Sequence, residues 1–165
     1  MMSRMRTVKK SALHLIGLIS DTHGLVRPEA LKALQGVELI IHAGDIGKPE
    51  VLSALKSIAR VAAIKGNIDR GIWAQSLPDT KWVKAGDTKL FIIHNLRELG
   101  LDPLARDYQV VVSGHSHKPS VLSRDGVLFV NPGSAGPRRF KLPVAVGKLF
   151  IHNNQIDAEI IELDV

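Results

Sequence analysis

Short apolar runs that stop abruptly at polar residues recur through the first two thirds of the chain: Leu15 to Ile19, Leu39 to Ile41, Val61 to Ile64, Leu90 to Ile93 and Val110 to Val112. Their length and aliphatic content predict buried strands. Between the first two, Arg27-Pro28-Glu29 sets a proline near a first helical position, Leu31 and Leu34 face inward, and Gly36 closes the segment. Pro49 and Glu50 open a second helix on which Val51, Leu52, Leu55 and Ile58 share a face, ahead of the Val61 strand. These are two βαβ units, and because such crossovers are right-handed, their strands end at the same edge of a sheet.

The rhythm changes after His117. Val121-Leu122 and Val127 to Val130 flank Asp125-Gly126, a two-residue hairpin signal, and Val144 to Ile151 and Ile156 to Leu163 flank His152-Asn153-Asn154-Gln155 in the same manner. Gly71 to Asp87 contains Pro78-Asp79 and Gly86-Asp87 and reads as a surface loop, with Trp73 and Trp82 packing it onto the body. Asp102-Pro103 has the form of an N-cap and first turn for a short helix. The expected fold is α/β: a two-sheet sandwich with helices outside, its mixed sheet built from βαβ units, with C-terminal antiparallel hairpins packed on or extending it.

At 165 residues and 45% hydrophobic content, the chain suits one compact domain, 12–165, after a basic head of residues 1–11. Arg4, Arg6, Lys9 and Lys10 account for most of the net charge of +6; the remaining 18 basic and 16 acidic residues nearly balance, so a nucleic-acid partner is not expected. The head is expected to be a disordered tail. With Ala12 to Ile19 it imitates a signal peptide, but His14 and Gly17 interrupt the apolar stretch and no small-residue cleavage site follows. No run is long enough to span a bilayer. The chain has no cysteine, which fits a reducing cytoplasm and leaves oxygen and imidazole as the metal ligands on offer.

Those ligand types stand where the apolar runs end. Asp21 and His23 follow the first, Asp45 the second, Asn67 the third, His94 the fourth, and His115 and His117 the fifth. Residues far apart in sequence converge beyond the carboxyl ends of strands in an open α/β sheet, so this placement predicts one site. An extended backbone would aim Asp21 and His23 to one side, and likewise His115 and His117, since residues i and i+2 share a face. Asp45, beside Gly44, has two carboxylate oxygens with which to bridge two ions. Asn67 adds a neutral oxygen that spares an anionic substrate some repulsion. Seven ligands exceed one tetrahedral ion and suit two, each with positions left for water and substrate. Taken singly, a strand-end histidine or an aspartate after glycine is an ordinary structural residue; the joint placement is what points to metal.

Ser20-Asp21-Thr22-His23, Gly44-Asp45, Gly66-Asn67, His94 and Gly114-His115-Ser116-His117 together resemble the calcineurin-like metallophosphoesterase superfamily. The short length and Asn131-Pro132-Gly133-Ser134 make the chain similar to its small bacterial and archaeal phosphodiesterase branch. The resemblance implies that Asp21, His23 and His117 hold one divalent ion and Asn67, His94 and His115 a second, with Asp45 between them. It also implies that Asp45, Asn67 and His94 stand closest to the catalysis. Manganese is the first expectation for the metal, with iron, zinc, nickel and magnesium also accepted by such donors. The implied reaction is hydrolysis of a small phosphoester, a phosphodiester above all, by in-line attack of a hydroxide bridging the two ions.

Many superfamily members carry a histidine directly after the asparagine, placed to protonate the leaving oxygen, whereas Ile68 follows Asn67 here. That loss should fall mainly on substrates with poor leaving groups. It argues against the alternative of a phosphomonoesterase or phosphoprotein phosphatase. After His94, where the branch often continues with glycine and histidine, the chain has Asn95-Leu96, and Asn95 reads as a strand-end cap. Arg138 and Arg139 suit a solvated loop, with contact to an anionic substrate as the alternative. His42, near the Asp45 turn, is a candidate to hydrogen-bond a metal ligand, with an ordinary strand-end role as the alternative. From another class comes a protein-interaction scaffold, since the superfamily includes a retromer subunit that uses this fold mainly for protein contacts. No membrane partner is expected, and a homo-oligomer is left open.

Overall fold

The computed structural model describes residues 13–101 and 105–165. The basic head and the Asp102-Pro103 helix start lie outside the described residues. The elements run β1 (Leu13–Ile19), α1 (Pro28–Ala33), β2 (Leu39–His42), α2 (Pro49–Lys56), β3 (Arg60–Ala63), β4 (Thr80–Ala85), β5 (Thr88–Ile93), β6 (Val110–Val112), β7 (Ser120–Arg124), β8 (Val127–Asn131), β9 (Ala145–His152) and β10 (Gln155–Glu162). Short 3-10 turns cover Ile72–Ala74 and Leu96–Leu101.

All five apolar runs are strands, divided between two five-stranded sheets. The first has the order β10-β9-β1-β2-β3 and the second β4-β5-β6-β8-β7. In the first sheet β1, β2 and β3 are parallel, joined by α1 and α2 as the two proline starts predict. The two hairpins are shared out: β9-β10 extends the first sheet antiparallel to β1, and β7-β8 closes the second. Asp125 (φ 52°) and Gly126 (φ 80°) make the tight turn that Asp-Gly predicts.

Alternation along each strand separates three apolar layers. Ile16, Leu18, Leu39 and Ile41 point between the sheets against Leu90, Ile92, Val110 and Val112. Ile19 and Ile40 point outward under α1 and α2, meeting Leu34, Val51 and Leu55. Gly17 lets α1 approach β1, since a methyl there would stand 2.8 Å from Leu34 Cδ2. Among the described residues, the α-helices flank the first sheet. On the outer face of the second, Phe91, Ile93 and Val111 are covered by Leu99, Tyr108 and Phe129.

The expectation of a loop across Gly71 to Asp87 is corrected in its second half. Thr80–Ala85 is an edge strand, antiparallel to β5. Its outer positions are Lys81, Trp82 and Lys84, and exposed lysines on an edge discourage further pairing while hiding the apolar alternation. Both tryptophans pack as expected: Trp73 against the helix-side core and Trp82 edge-on to Phe91 at 4.9 Å. Among the described residues, no helix is long and apolar enough to cross a membrane.

Candidate metal centre

Beyond β1, the segment 21–24 pairs with the segment after β2: Asp21 N donates to Gly44 O, His23 N to Asp45 O and Gly24 N to Ile46 O. The backbone there is not the extended chain expected. Asp21 (φ 56°), His23 (φ 49°), Asp45 (φ 56°), His115 (φ 73°) and His117 (φ 63°) all take left-handed conformations. Kinks, rather than strand alternation, turn these side chains to one side. Each costs about 1–3 kcal/mol and persists only where surrounding bonds over-determine it, a cost that concentrates at functional sites.

The bonds that fix those kinks can be named. Asp21 Oδ2 accepts from Ser20 Oγ at 2.7 Å and from His115 N at 3.0 Å, tying β1 to the turn after β6. A methyl on Gly114 would collide with Ser20 Oγ and stand 2.6 Å from Asp21 Oδ2, so glycine is required there. Asn131 Nδ2 donates to Gly114 O at 3.0 Å and Ser116 Oγ at 3.1 Å, clamping the same turn from β8. Ser134 Oγ donates to Asp21 O at 3.0 Å.

On the other flank, Asp69 accepts from Ile46 N (3.1 Å), Gly47 N (2.9 Å) and Gly66 N (2.8 Å), stitching the Asp45 turn to the Asn67 turn. Asp69 was not singled out by sequence. Its signal, an aspartate three residues after Gly66, is that of any turn-forming carboxylate. His42 bonds residues beside the ligands: Gly44 N donates to Nδ1 at 3.1 Å, Nε2 faces Thr22 Oγ1 at 3.0 Å, and that hydroxyl donates to Ile46 O at 2.8 Å. An accepting Nδ1 requires a neutral ring. Burial agrees, pushing the His42 pKa down to about 4 against the opposing pull of Asp21 and Asp69.

Five of the seven sequence-predicted residues come together directly. Asp21 Oδ1 stands 3.3 Å from His117 Nε2, 3.9 Å from His94 Nε2 and 4.0 Å from His23 Nε2. Asp45 Oδ2 stands 3.3 Å from His94 Nε2 and 3.7 Å from His23 Nε2, while its Oδ1 accepts from Ile68 N at 3.2 Å. Two clusters can be drawn, Asp21–His23–His117 and Asp21–Asp45–His94, with Asp21 common to both. His115 and Asn67 join through His94: the rings of His94 and His115 are 5.2 Å apart, and all three residues line one cavity.

A fit to metal can be tested on these atoms alone. Among the described residues, five buried side-chain atoms lack a hydrogen-bond partner, and four of them are Asp21 Oδ1, His23 Nε2, His94 Nε2 and His117 Nδ1. Leaving such groups unpaired is costly, and three of them gather, His23 Nε2 and His94 Nε2 standing within 4.0 Å of Asp21 Oδ1, which calls for a missing partner. Donor atoms held about 2.0–2.2 Å from one ion stand roughly 3–3.5 Å from each other, close to the shorter spacings here. His94 Nδ1 donates to Ala43 O at 2.7 Å, which fixes the tautomer and leaves Nε2 as a lone-pair donor. The residues fit divalent cations.

The charges are consistent with that fit. Burial pushes the Asp45 carboxyl up, but His94, the Ile68 N–H and His23 outweigh it and hold the group below its usual range. Burial pushes His94 down, but Asp45, the Ala43 carbonyl and Asp21 outweigh it and raise the imidazole. Asn95 Oδ1 accepts from Arg97 N at 3.1 Å, the capping role expected. Arg138 is spent on the C-terminal strap, donating to Leu142 O and Val165 O.

The model of the calcineurin-like phosphoesterase superfamily domain matches residues 15–154. A probable metallophosphoesterase from Methanothermobacter thermautotrophicus is 37% identical over 162 residues, covering 89% of this chain and 91% of that one. A phosphodiesterase from Methanocaldococcus jannaschii is 31% identical over 137 residues, covering 72% of this chain and 82% of that one. The structure of Vacuolar Protein Sorting 29 from Cryptosporidium parvum superposes with a TM-score of 0.73 at 21% identity, covering 92% of this chain and 98% of that one, a likeness of fold alone.

Proposed function

The chain belongs to the calcineurin-like phosphoesterase superfamily, and we propose that it is a hydrolase of phosphodiesters dependent on two divalent metal ions. The observation that carries this reading is the gathering of bare, buried donor atoms, with His23 Nε2 and His94 Nε2 at 4.0 and 3.9 Å from Asp21 Oδ1, and His117 Nε2 3.3 Å from the same oxygen. Asp21, His23 and His117 would hold one ion, and Asn67, His94 and His115 the other, with Asp45 reaching both. When bound, such a pair lowers the pKa of water and offsets charge on the phosphoryl oxygens.

The chain's own residues set the conditions for that chemistry. Ser20, His42 and Asp69 hold the two aspartates in place, while Asn131 and Ser134 fix the turns that face them. His94, its Nδ1 committed to Ala43 O, presents Nε2, and neutral Asn67 keeps the site from repelling an anion. Ile68, half-exposed where a proton donor stands in many relatives, cannot protonate the departing oxygen. This supports turnover of diesters with good leaving groups over phosphomonoesters or phosphoproteins. The scaffold alternative has the shared fold of Vacuolar Protein Sorting 29 in its favour, and the presence of all seven expected ligand residues in the sequence against it. A single domain over 12–165, manganese as the metal and a cytoplasmic setting complete the proposal.

The test is turnover of an aryl phosphodiester and of the matching aryl monoester, with added Mn²⁺ and after chelation. Diester turnover that vanishes with chelation and returns with Mn²⁺ is expected, and the monoester should be the poorer substrate. Metal-independent turnover, or preference for the monoester, contradicts the reading.

A further inference from the structure

Two cavities meet at His115. The larger, about 760 Å³, opens beside Asn67 and His94 and is mixed in charge, with Lys65 3.9 Å from Asp79 and with Glu98 on its wall. The smaller, about 470 Å³, is lined by Arg97, Arg139, Ser116 and Ser120, and no acid is among the described residues that line it. Asn95 and His115 border both. A ligand centred at His115 therefore has two lobes to fill, one of them purely basic.

Ser116 is prepared to donate into the basic lobe. Its Oγ already accepts from Asn131 Nδ2 at 3.1 Å and from Lys118 N at 3.2 Å. With both lone pairs engaged, the hydroxyl proton is left for an acceptor. Arginine forks together with a hydroxyl donor match the oxygens of a phosphate-class anion. Arg139 and Arg138 part company here: the latter is bonded to Leu142 O and Val165 O, the former lines the cavity.

We propose that the smaller lobe is a subsite for a second phosphate group, carried on one ester arm of the substrate and held by Arg97, Arg139 and Ser116. This rests on the phosphodiesterase reading, because a diester has two arms to place on either side of the scissile phosphorus and a monoester has one. It narrows the substrate class to diesters that bear a further phosphate, such as a nucleotide ester phosphorylated at its other end.

The probes are the p-nitrophenyl ester of thymidine 5′-phosphate with and without a 3′-phosphate, and, for binding alone, thymidine 3′,5′-bisphosphate against thymidine 5′-phosphate by calorimetry. The extra phosphate should raise kcat/KM and binding affinity by about tenfold, as charge-assisted hydrogen bonds do. In the Arg97→Ala/Arg139→Ala variant both ratios should fall to about one, with a melting temperature close to that of the parent confirming the fold. Equal affinity for the two nucleotides, or a preference that survives in the variant, overturns the subsite. A binding preference without turnover of either ester supports the subsite and contradicts the phosphodiesterase reading.

Discussion

Asp21 Oδ1 and His117 Nε2 stand 3.3 Å apart, yet the carboxylate oxygen accepts no hydrogen bond from any described residue. The other oxygen of the same carboxylate is fully engaged by Ser20 Oγ and His115 N. One side chain thus divides its labour, with Oδ2 holding the turn and Oδ1 left for a cation. Asp21→Asn keeps the size and removes the charge, so Mn²⁺ affinity should fall at least about 100-fold, the upper end of what supporting groups alone contribute. Calorimetric titration of the variant reads this; unchanged affinity would remove Asp21 from the ligand set.

Asp69 binds no metal in this account and acts through the backbone. Three N–H groups, those of Ile46, Gly47 and Gly66, lose their acceptor in Asp69→Ala. At about 1–3 kcal/mol for each buried group left unpaired, and with water able to reach part of the site, a loss of about 2–4 kcal/mol is expected in urea unfolding. Metal affinity should drop as well, since the Asp45 and Asn67 turns are no longer tied together. A variant as stable as the parent contradicts this role.

Residues differ in how much of their role the sequence around them advertises. Asp21, Asp45, Asn67, His94 and His117 were legible because an apolar run ends within five residues before each, and a strand end is a fixed point in a sheet. The left-handed turns at Asp21, His23, His115 and His117 were not legible, because non-glycine residues adopt them only under tertiary constraint. Neither was the division of the five runs between two sheets, since a buried strand looks the same in either. Thr80–Ala85 was hidden by its edge position, where two lysines and an outward tryptophan blur the alternation. Asp69 was hidden because its partners are backbone groups, which carry no sequence signal.

His42 gives the metal-free protein a pH dependence of definite sign. Its folded pKa of about 4 lies below the unfolded value of about 6.5, so the unfolded chain binds the extra proton. The stability it protects is whole above about pH 6.5 and is lost as pH falls toward 4, approaching about 3 kcal/mol. His94, raised, works in the opposite sense: its contribution is present below its unfolded pKa and lost as pH rises through the folded one. Melting curves of chelated parent and His42→Gln between pH 8 and 5 separate the two, because only the parent should carry the His42 slope. Parallel curves contradict a buried neutral His42.

Ile68 predicts a leaving-group effect. With isoleucine at position 68 unable to protonate the departing oxygen, rates across a series of diesters should fall steeply as leaving-group pKa rises. General acids supply about 10²–10⁴-fold, so Ile68→His should raise turnover of an alkyl diester by at least about tenfold while changing an aryl diester little. Steady-state rates on the two classes check this. Equal rates of the parent on aryl and alkyl diesters would contradict it.

The central claim is that seven side chains hold a pair of divalent cations, and Mn²⁺ stoichiometry by equilibrium dialysis tests it most directly. The parent protein should bind about two ions per chain, and Asp45→Asn, whose carboxylate stands 3.3 Å from His94 and 3.7 Å from His23, should weaken both while melting close to the parent. A parent that binds no Mn²⁺, or an Asp45→Asn variant that keeps both ions at full affinity, would contradict the account.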